Sequence, residues 1–302
     1  MRCDWIAVDW GTSNLRCWAV DKDGRSEAFA ESDRGMARLD AYEFESALLE
    51  LINEWLPASG AVEIVICGMA GARGGWIEAP YRSAPCAPMS AEMAMSPVTR
   101  DQRLHVTIVP GIKTARPKHD VMRGEEVQIA GYLADYPLDN GVLCLPGTHT
   151  KWVHVKNNEI ISFRTFMSGE LFDLISRHSV LRRCIDTSQW NNGEFEQSVD
   201  RIFSRPEFLA GDLFSIRAES LLGELPPDLT AARLSGLLVG AELAASKNYW
   251  FGHTPIILGA ERTAQLYQSA LAKLGIEARL FNASASTLRG LAKFRQLQGN
   301  TP

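Results

Sequence analysis

In the first third of the chain the apolar positions come as short runs, not at helical spacing. Trp5–Val8 reads as a buried strand and the run from Leu15 to Val20 as a second. Asp21-Lys22-Asp23-Gly24 follows, its Asp-Gly pair signalling a hairpin, and Gly24–Ser32 completes an antiparallel three-stranded meander. The period then lengthens. Phe44, Leu48, Ile52, Trp55 and Leu56 share one face of a helix that follows the capping-box string Asp40-Ala41-Tyr42-Glu43 and stops at Pro57. Val62–Cys67 and Leu104–Val109 are short apolar strands of the kind covered on both faces. The order is βββαβ, mixed in direction.

The opening pattern recurs. Val142–Val155 repeats apolar strand, Gly-Thr loop and second strand; Lys156-Asn157-Asn158-Glu159 makes the turn, and Ile160–Phe166 returns as a third strand. Two such units in one chain indicate an internal duplication. Between them, Arg116–Asp120 reads as a polar turn and Val121–Glu126 as the lead into a helix carrying Val127, Ile129, Ala130 and Leu133. After the second unit a helix runs from about Arg164–Glu170 to His178, Asp186–Arg205 is an irregular polar stretch read as a helical insertion, and Leu209–Leu222 and Leu229–Ala245 are long helices. Gly236 and Gly240, four apart, allow close helix packing. Pro255–Leu258, the helix Thr263–Leu274, the strand Ala278–Phe281 and the helix Ala283–Gln298 close the chain.

Composition narrows the class. With 302 residues, 46% hydrophobic and 22% charged, the chain is an ordinary globular protein large enough for two cores. A net charge of −5 argues against nucleic acid as partner. The longest apolar run, near Leu234–Ala245, is too short for a membrane span, and Asp4 and Asp9 interrupt any leader. The six cysteines show no C-x-x-C and read as reduced and structural, which suits a cytoplasmic location. The histidines lack metal-ligand spacing, and neither a G-x-S-x-G elbow nor a Gly-Lys-Ser/Thr phosphate loop is present.

The loops carry the candidate chemistry. Gly11-Thr12-Ser13 between two strands offers backbone N–H groups and hydroxyls to a phosphate, and Asp9 beside it could hold a hydrated Mg²⁺. Read alone, the same loop also suits a plain hairpin. Its partner is Gly147-Thr148, with His149 as a further phosphate donor. In Gly68–Tyr81, four glycines allow close backbone approach, Arg73 offers a fork for a carboxylate, and Trp76 and Tyr81 offer flat walls. Glu125 and Glu126 beside Arg123 either complement the helix dipole or face a cleft between the two units, as do Gly169 and Glu170. Gly259–Arg262 opens a helix in a geometry suited to phosphate or a nucleoside.

Asp9–Arg16 (DWGTSNLR), Gly68–Tyr81, Val121–Glu126 (VMRGEE), Pro146–Val153 (PGTHTKWV) and Phe163–Glu170 (FRTFMSGE) resemble the 2-dehydro-3-deoxygalactonokinase family. That family lies within the superfamily of acetate and sugar kinases, heat-shock chaperone ATPases and actin. The resemblance implies an α/β fold of two ribonuclease H-like (actin-like ATPase) domains, each a mixed five-stranded sheet flanked by helices, with a cleft between them. The expected N-terminal lobe is 1–120 plus about 283–302, and the C-terminal lobe 121–282. The implied activity is ATP- and Mg²⁺-dependent phosphorylation of the terminal (C6) hydroxyl of 2-dehydro-3-deoxy-D-galactonate, a step in galactonate breakdown.

By the same resemblance Gly11, Thr12, Ser13, Arg16, Gly147, Thr148, His149 and Lys151 hold the phosphates, and Gly259 with Arg262 lies near adenosine. Gly71, Arg73, Trp76, Arg123, Arg164 and Glu170 serve the sugar acid, with Arg73 or Arg164 on its carboxylate. Glu125 or Glu126 is the expected base, with Asp9 on the metal side through water. One departure stands out: many relatives begin the second loop with Asp, where this chain has Leu145-Pro146. The alternatives are a phosphohydrolase or a nucleotide switch of the same fold. The expected partner is a small sugar acid, without nucleic acid or membrane, and a homo-oligomer is left open.

Overall fold

The computed structural model describes residues 3–116 and 118–299. Pro117, inside the expected 116–120 turn, and residues 1–2 and 300–302 of the expected N-terminal lobe lie outside the described residues. The chain divides into two compact units. The first comprises the residues up to Asp139, Lys156–Ser162 and the segment from Ala283 on; the second comprises Asn140–Val155 and Phe163–Asn282.

Unit 1 is built on β1 (Trp5–Trp10), β2 (Leu15–Val20), β3 (Ser26–Ser32), α1 (Phe44–Ile52), β4 (Val62–Gly68), β5 (Tyr81–Ser83), β6 (Leu104–Ile108), β7 (Gly111–Thr114), β8 (Asp120–Met122) and α2 (Glu125–Asp135). Its main sheet has the order β3-β2-β1-β4-β6, antiparallel across the meander and parallel from β1 to β6. Alternation along β1 splits the core into two layers. Ile6, Val8 and Trp10 pack on Phe44, Ala47, Leu48 and Ile52 of α1. Trp5 and Ala7 face the opposite way, with Val127 and Ala130 of α2 and with Leu291 and Phe294, which belong to the closing helix. Both faces being covered is why β1 reads as an almost unbroken apolar run. At the entry to α1, Glu43 Oε2 accepts the Asp40 N–H at 2.8 Å, so half of the expected capping box forms, one residue ahead of Phe44.

A small second sheet, β5-β7-β8, was not legible, since its strands are three or four residues long.

Unit 2 comprises β9 (Asn140–Leu145), β10 (Thr150–Lys156), β11 (Glu159–Phe166), α3 (Ser168–His178), α4 (Asn192–Ser204), α5 (Leu209–Leu222), α6 (Pro227–Ala245), α7 (Lys247–Trp250), β12 (Ile256–Gly259), α8 (Glu261–Lys273) and β13 (Arg279–Asn282). The first residues of β11 group with unit 1. The sheet order, β11-β10-β9-β12-β13, repeats that of unit 1: third, second, first, fourth and fifth strand of the half. This shared topology is the internal duplication that the Gly-Thr loops announced. The polar stretch after Asp186 departs from expectation. Within it Asn191 caps α4 by accepting the Glu194 N–H at 2.9 Å, and Phe195, Val199 and Ile202 are fully buried, so α4 is part of the core. Gly236 and Gly240 make this fit. A Cβ at either would lie 2.4 Å from the Phe195 carbonyl oxygen or 2.6 Å from that of Val199.

The closing helix α9 (Ala283–Gly299) returns to unit 1 and packs along α2. This contact corrects the expected boundary at 121: residues 121–139 and 156–162 belong with unit 1, not with the C-terminal lobe. At the crossing, a Cβ on Gly131 would fall 1.8 Å from the Ser286 carbonyl oxygen, and one on Gly290 2.0 Å from that of Val127. No helix among the described residues is long and apolar enough to cross a membrane, and the cysteines described are all free thiols.

Candidate active site

The sheet register of unit 1 assembles a carboxylate cluster. Asp9 is the polar position of β1 and by alternation lies on the face covered by α2 and α9. Its antiparallel partner is Arg16 and its parallel partner Cys67. Arg16 Nη1 lies 3.5 Å from Asp9 Oδ2 and its Nε 3.9 Å from Glu31, so this arginine, expected on the nucleotide, is engaged by carboxylates. The Cys67 thiol donates to Asp9 Oδ1 at 3.8 Å. Burial raises the Asp9 carboxyl above its ordinary range against the pull of Arg16 and of the Cys67 thiol, and Glu125 pushes it further up.

The two glutamates at the start of α2 differ sharply. Glu126 is fully buried, and both its oxygens accept the Gly124 N–H, at 2.9 and 2.8 Å. Burial, followed by Glu125, raises it to about 7. Glu125 is half-buried and accepts the Arg123 N–H at 3.0 Å. Of the pair, only Glu125 reaches solvent, and it lies near enough to Asp9 to act on its charge.

The first loop is held from behind. Met36 and Ala37 donate backbone N–H groups to the carbonyls of Gly11 and Thr12, at 3.1 and 3.0 Å, leaving Thr12 and Ser13 exposed. Arg123 lies over the Tyr81 ring, 4.2 Å from its centroid, and donates to the Ala79 carbonyl at 2.7 Å. Gly71 makes room for it: a Cβ there would sit 2.9 Å from Arg123 Nη1. Arg73 is exposed. Trp76 does not stand free as a wall; it packs on Trp10 and Phe44, each at 6.3 Å between ring centroids, because an indole beside an apolar layer is drawn into it. Arg164 is half-buried in β11, in unit 2.

In unit 2, Gly147, Thr148 and His149 are exposed in the loop between β9 and β10. The start of α3 is pressed against it. Glu170 donates its N–H to the Thr148 carbonyl at 3.0 Å, and a Cβ on Gly169 would fall 2.3 Å from the Gly147 carbonyl oxygen. His149 and Glu170, expected on phosphate and on sugar acid, pair with each other at 2.7 Å. Lys151 is buried beneath the loop, its Nζ 3.5 Å from the His149 carbonyl. Gly259 is buried against Pro146, the residue that precedes Gly147.

A cavity of about 450 Å³ opens beside Gly147 and Thr148. Its walls are mostly apolar, with Phe172, Leu238 and Leu266, and its polar lining includes Ser235 and Arg262. The Arg262 guanidinium lies 5.9 Å from the centroid of the Trp190 ring, which also lines the cavity. Volume and lining are those of a small-ligand site. Phe172, Trp190, Ser235 and Leu238 were missed in the sequence because they come from three separate segments, α3, the stretch ahead of α4 and α6, without a motif. Trp190, the tryptophan of the polar stretch ahead of α4, was the one available signal. Among the described residues no three His, Cys, Asp or Glu side chains converge as a metal-binding group. Asp9 and Glu125, both only partly buried, are too few for an all-protein cage, and Asp9 fits a metal held through water.

Residues 9–294 match the model of the 2-keto-3-deoxy-galactonokinase family. The chain is 36% identical over 294 residues to the probable 2-dehydro-3-deoxygalactonokinase of Rhizobium meliloti, 95% of each chain being covered. It is 34% identical over 280 residues to the 2-dehydro-3-deoxygalactonokinase of Escherichia coli, covering 92% of each. A crystal structure from Sinorhizobium meliloti, provisionally described as a 2-dehydro-3-deoxygalactonokinase, superposes with a TM-score of 0.89 at 34% identity, over 98% of this chain and 100% of that one. A Clostridium difficile activator of 2-hydroxyisocaproyl-CoA dehydratase, solved with bound ADPNP, shares the fold alone, with a TM-score of 0.53 at 10% identity over 99% of this chain and 98% of that one. With the family match spanning both duplicated halves and both Gly-Thr loops, the chain belongs to the 2-keto-3-deoxy-galactonokinase family of carbohydrate kinases.

Proposed function

We propose that this protein transfers the γ-phosphoryl group of ATP to the C6 hydroxyl of 2-dehydro-3-deoxy-D-galactonate. The observation that carries the nucleotide half is the cavity of unit 2, bounded at one end by Gly147 and Thr148 and walled by Trp190 and Arg262. An apolar slot with an aromatic face and a guanidinium suits a purine, and exposed loop N–H groups suit the phosphates that follow it. Unit 1 supplies the acid–base side. Glu125 accepts the hydroxyl proton as the C6 oxygen attacks, and Asp9 would hold Mg²⁺ through water. When bound, Mg²⁺ would supply neutralisation of the charge that develops in transfer.

Of the two arginines expected on the acceptor's carboxylate, Arg164 is half-buried on β11, whereas Arg73 is exposed and can present a planar fork; Arg123 donates to the Ala79 carbonyl and lies over Tyr81. We assign Arg73 to the carboxylate and give Arg123 the task of shaping the loop around Gly71. Phosphorus NMR of the product from Mg·ATP and the sugar acid tests the proposal. One phosphomonoester on C6 is expected. Inorganic phosphate as sole product would overturn it in favour of hydrolysis.

A further inference from the structure

Glu242 on α6 is a buried carboxylate to which no part of the proposed reaction has given a role. Its Oε1 accepts the Trp152 indole N–H at 2.8 Å; its Oε2 accepts the hydroxyls of Ser168 and of Tyr267, the latter at 2.9 Å. Tyr267 in turn lies 2.8 Å from the Thr150 hydroxyl, which donates to it when Tyr267 donates to the carboxylate. All of these hydrogen-bond partners are neutral. A buried carboxylate without a cation is costly, and apolar side chains would fill the same space at lower cost. Packing alone therefore does not account for it.

What the four partners share is position. Thr150 is the first residue after the Gly147–His149 loop, and Trp152 follows it on β10. Ser168 opens α3, next to the Gly169 that lies against Gly147 and Thr148. Ser168 and Tyr267 both line the cavity. We infer that Glu242 is a positioning residue for nucleotide binding: one carboxylate draws β10, α3 and α8 onto α6 and so fixes the phosphate loop and the cavity wall in a single arrangement. The inference rests on reading unit 2 as the ATP-binding half. Glu242 touches neither substrate nor reacting atoms and acts through Thr150, Ser168 and Tyr267. A carboxylate suits the task because it alone accepts from all three donors at once; an amide in its place accepts on one atom only.

The test is steady-state kinetics of wild type, Glu242→Gln, Tyr267→Phe and Ser168→Ala, with thermal melts in parallel. Glu242→Gln should stay folded at the assay temperature and raise KM for ATP by about tenfold or more, with KM for the sugar acid within about twofold. Tyr267→Phe and Ser168→Ala, each removing one donor, should give smaller rises of about threefold in the same parameter. Wild-type KM for ATP in all three variants, with only the melting temperature lowered, would overturn the inference and leave a plain core network. If Glu242→Gln does not fold, the other two variants decide in the same way. Absence of saturable ATP dependence in the wild type would instead remove the reading of unit 2 itself, a failure visible before any variant is measured.

Discussion

Two neighbouring glutamates, identical in chemistry, are given different work by burial. Glu126 spends both oxygens on the Gly124 N–H in the interior, while Glu125 stays accessible beside Asp9. Glu125→Gln should therefore lower kcat by about 10²- to 10⁴-fold with KM for ATP nearly unchanged, the range for losing a general base. Glu126→Gln should keep kcat within about tenfold of wild type, since an amide oxygen can still accept the Gly124 N–H. Comparable losses in both variants would contradict the assignment.

Glu242, raised to about 7 by burial against the pull of its hydrogen bonds, makes a separate prediction about pH. Its folded value exceeds the ordinary 4.5, so the folded chain holds this proton more tightly than the unfolded chain does. The stability it contributes is complete below about 4.5, is lost as pH rises towards about 7, and is flat above that. The groups facing it are Tyr267 and Cys144, both held protonated in that range. Urea titrations at pH 5 and pH 8 should differ by on the order of 2 kcal/mol less in Glu242→Gln than in wild type. At this scale the sequence showed which residue types were present but not which were spent on each other. Arg16 with Asp9 and His149 with Glu170 pair within unit 1 and unit 2 respectively, and only sheet register and a helix start bring them together.

The β-meanders and their Gly-Thr loops were legible from period and turn chemistry, because short strands covered on both faces leave unbroken apolar runs. The helix α4 was legible as a helical insertion but its place in the core was not, since its apolar buried face is only Phe195, Val199 and Ile202 within a polar stretch. Close approach, in contrast, is written in glycines. Gly236 and Gly240 marked α6 for close helix packing, and its partner proves to be α4; Gly131 and Gly290, which make the α2–α9 crossing, were not read in the sequence. The element-scale prediction concerns Gly169, where α3 meets the phosphate loop. Gly169→Ala places a methyl 2.3 Å from the Gly147 carbonyl oxygen, so the loop must move. KM for ATP should rise by about tenfold while the far-UV CD spectrum is kept. An unchanged KM would show that the loop's place does not matter to the nucleotide. Gly290→Val, set against the Val127 backbone, should cost stability by about 3 kcal/mol instead, measured by denaturant unfolding.

For the whole molecule, the duplication is visible in the repeated strand order, and the chain's return through α9 explains why unit 1 takes residues from both ends. The boundary was misplaced in the sequence because the α2–α9 contact joins segments far apart in the chain, beyond the reach of any local pattern. The family accounts for the phosphotransfer; the acceptor is the central claim. Discrimination between the galacto and gluco acids turns on one hydroxyl, and a site built to hydrogen-bond that hydroxyl rejects the epimer strongly. The deciding measurement is ADP release from Mg·ATP with 2-dehydro-3-deoxygalactonate, with its gluco epimer, and with no acceptor, run in parallel. Turnover confined to the galacto acid is the predicted result. Equal ADP release without any acceptor would contradict the account.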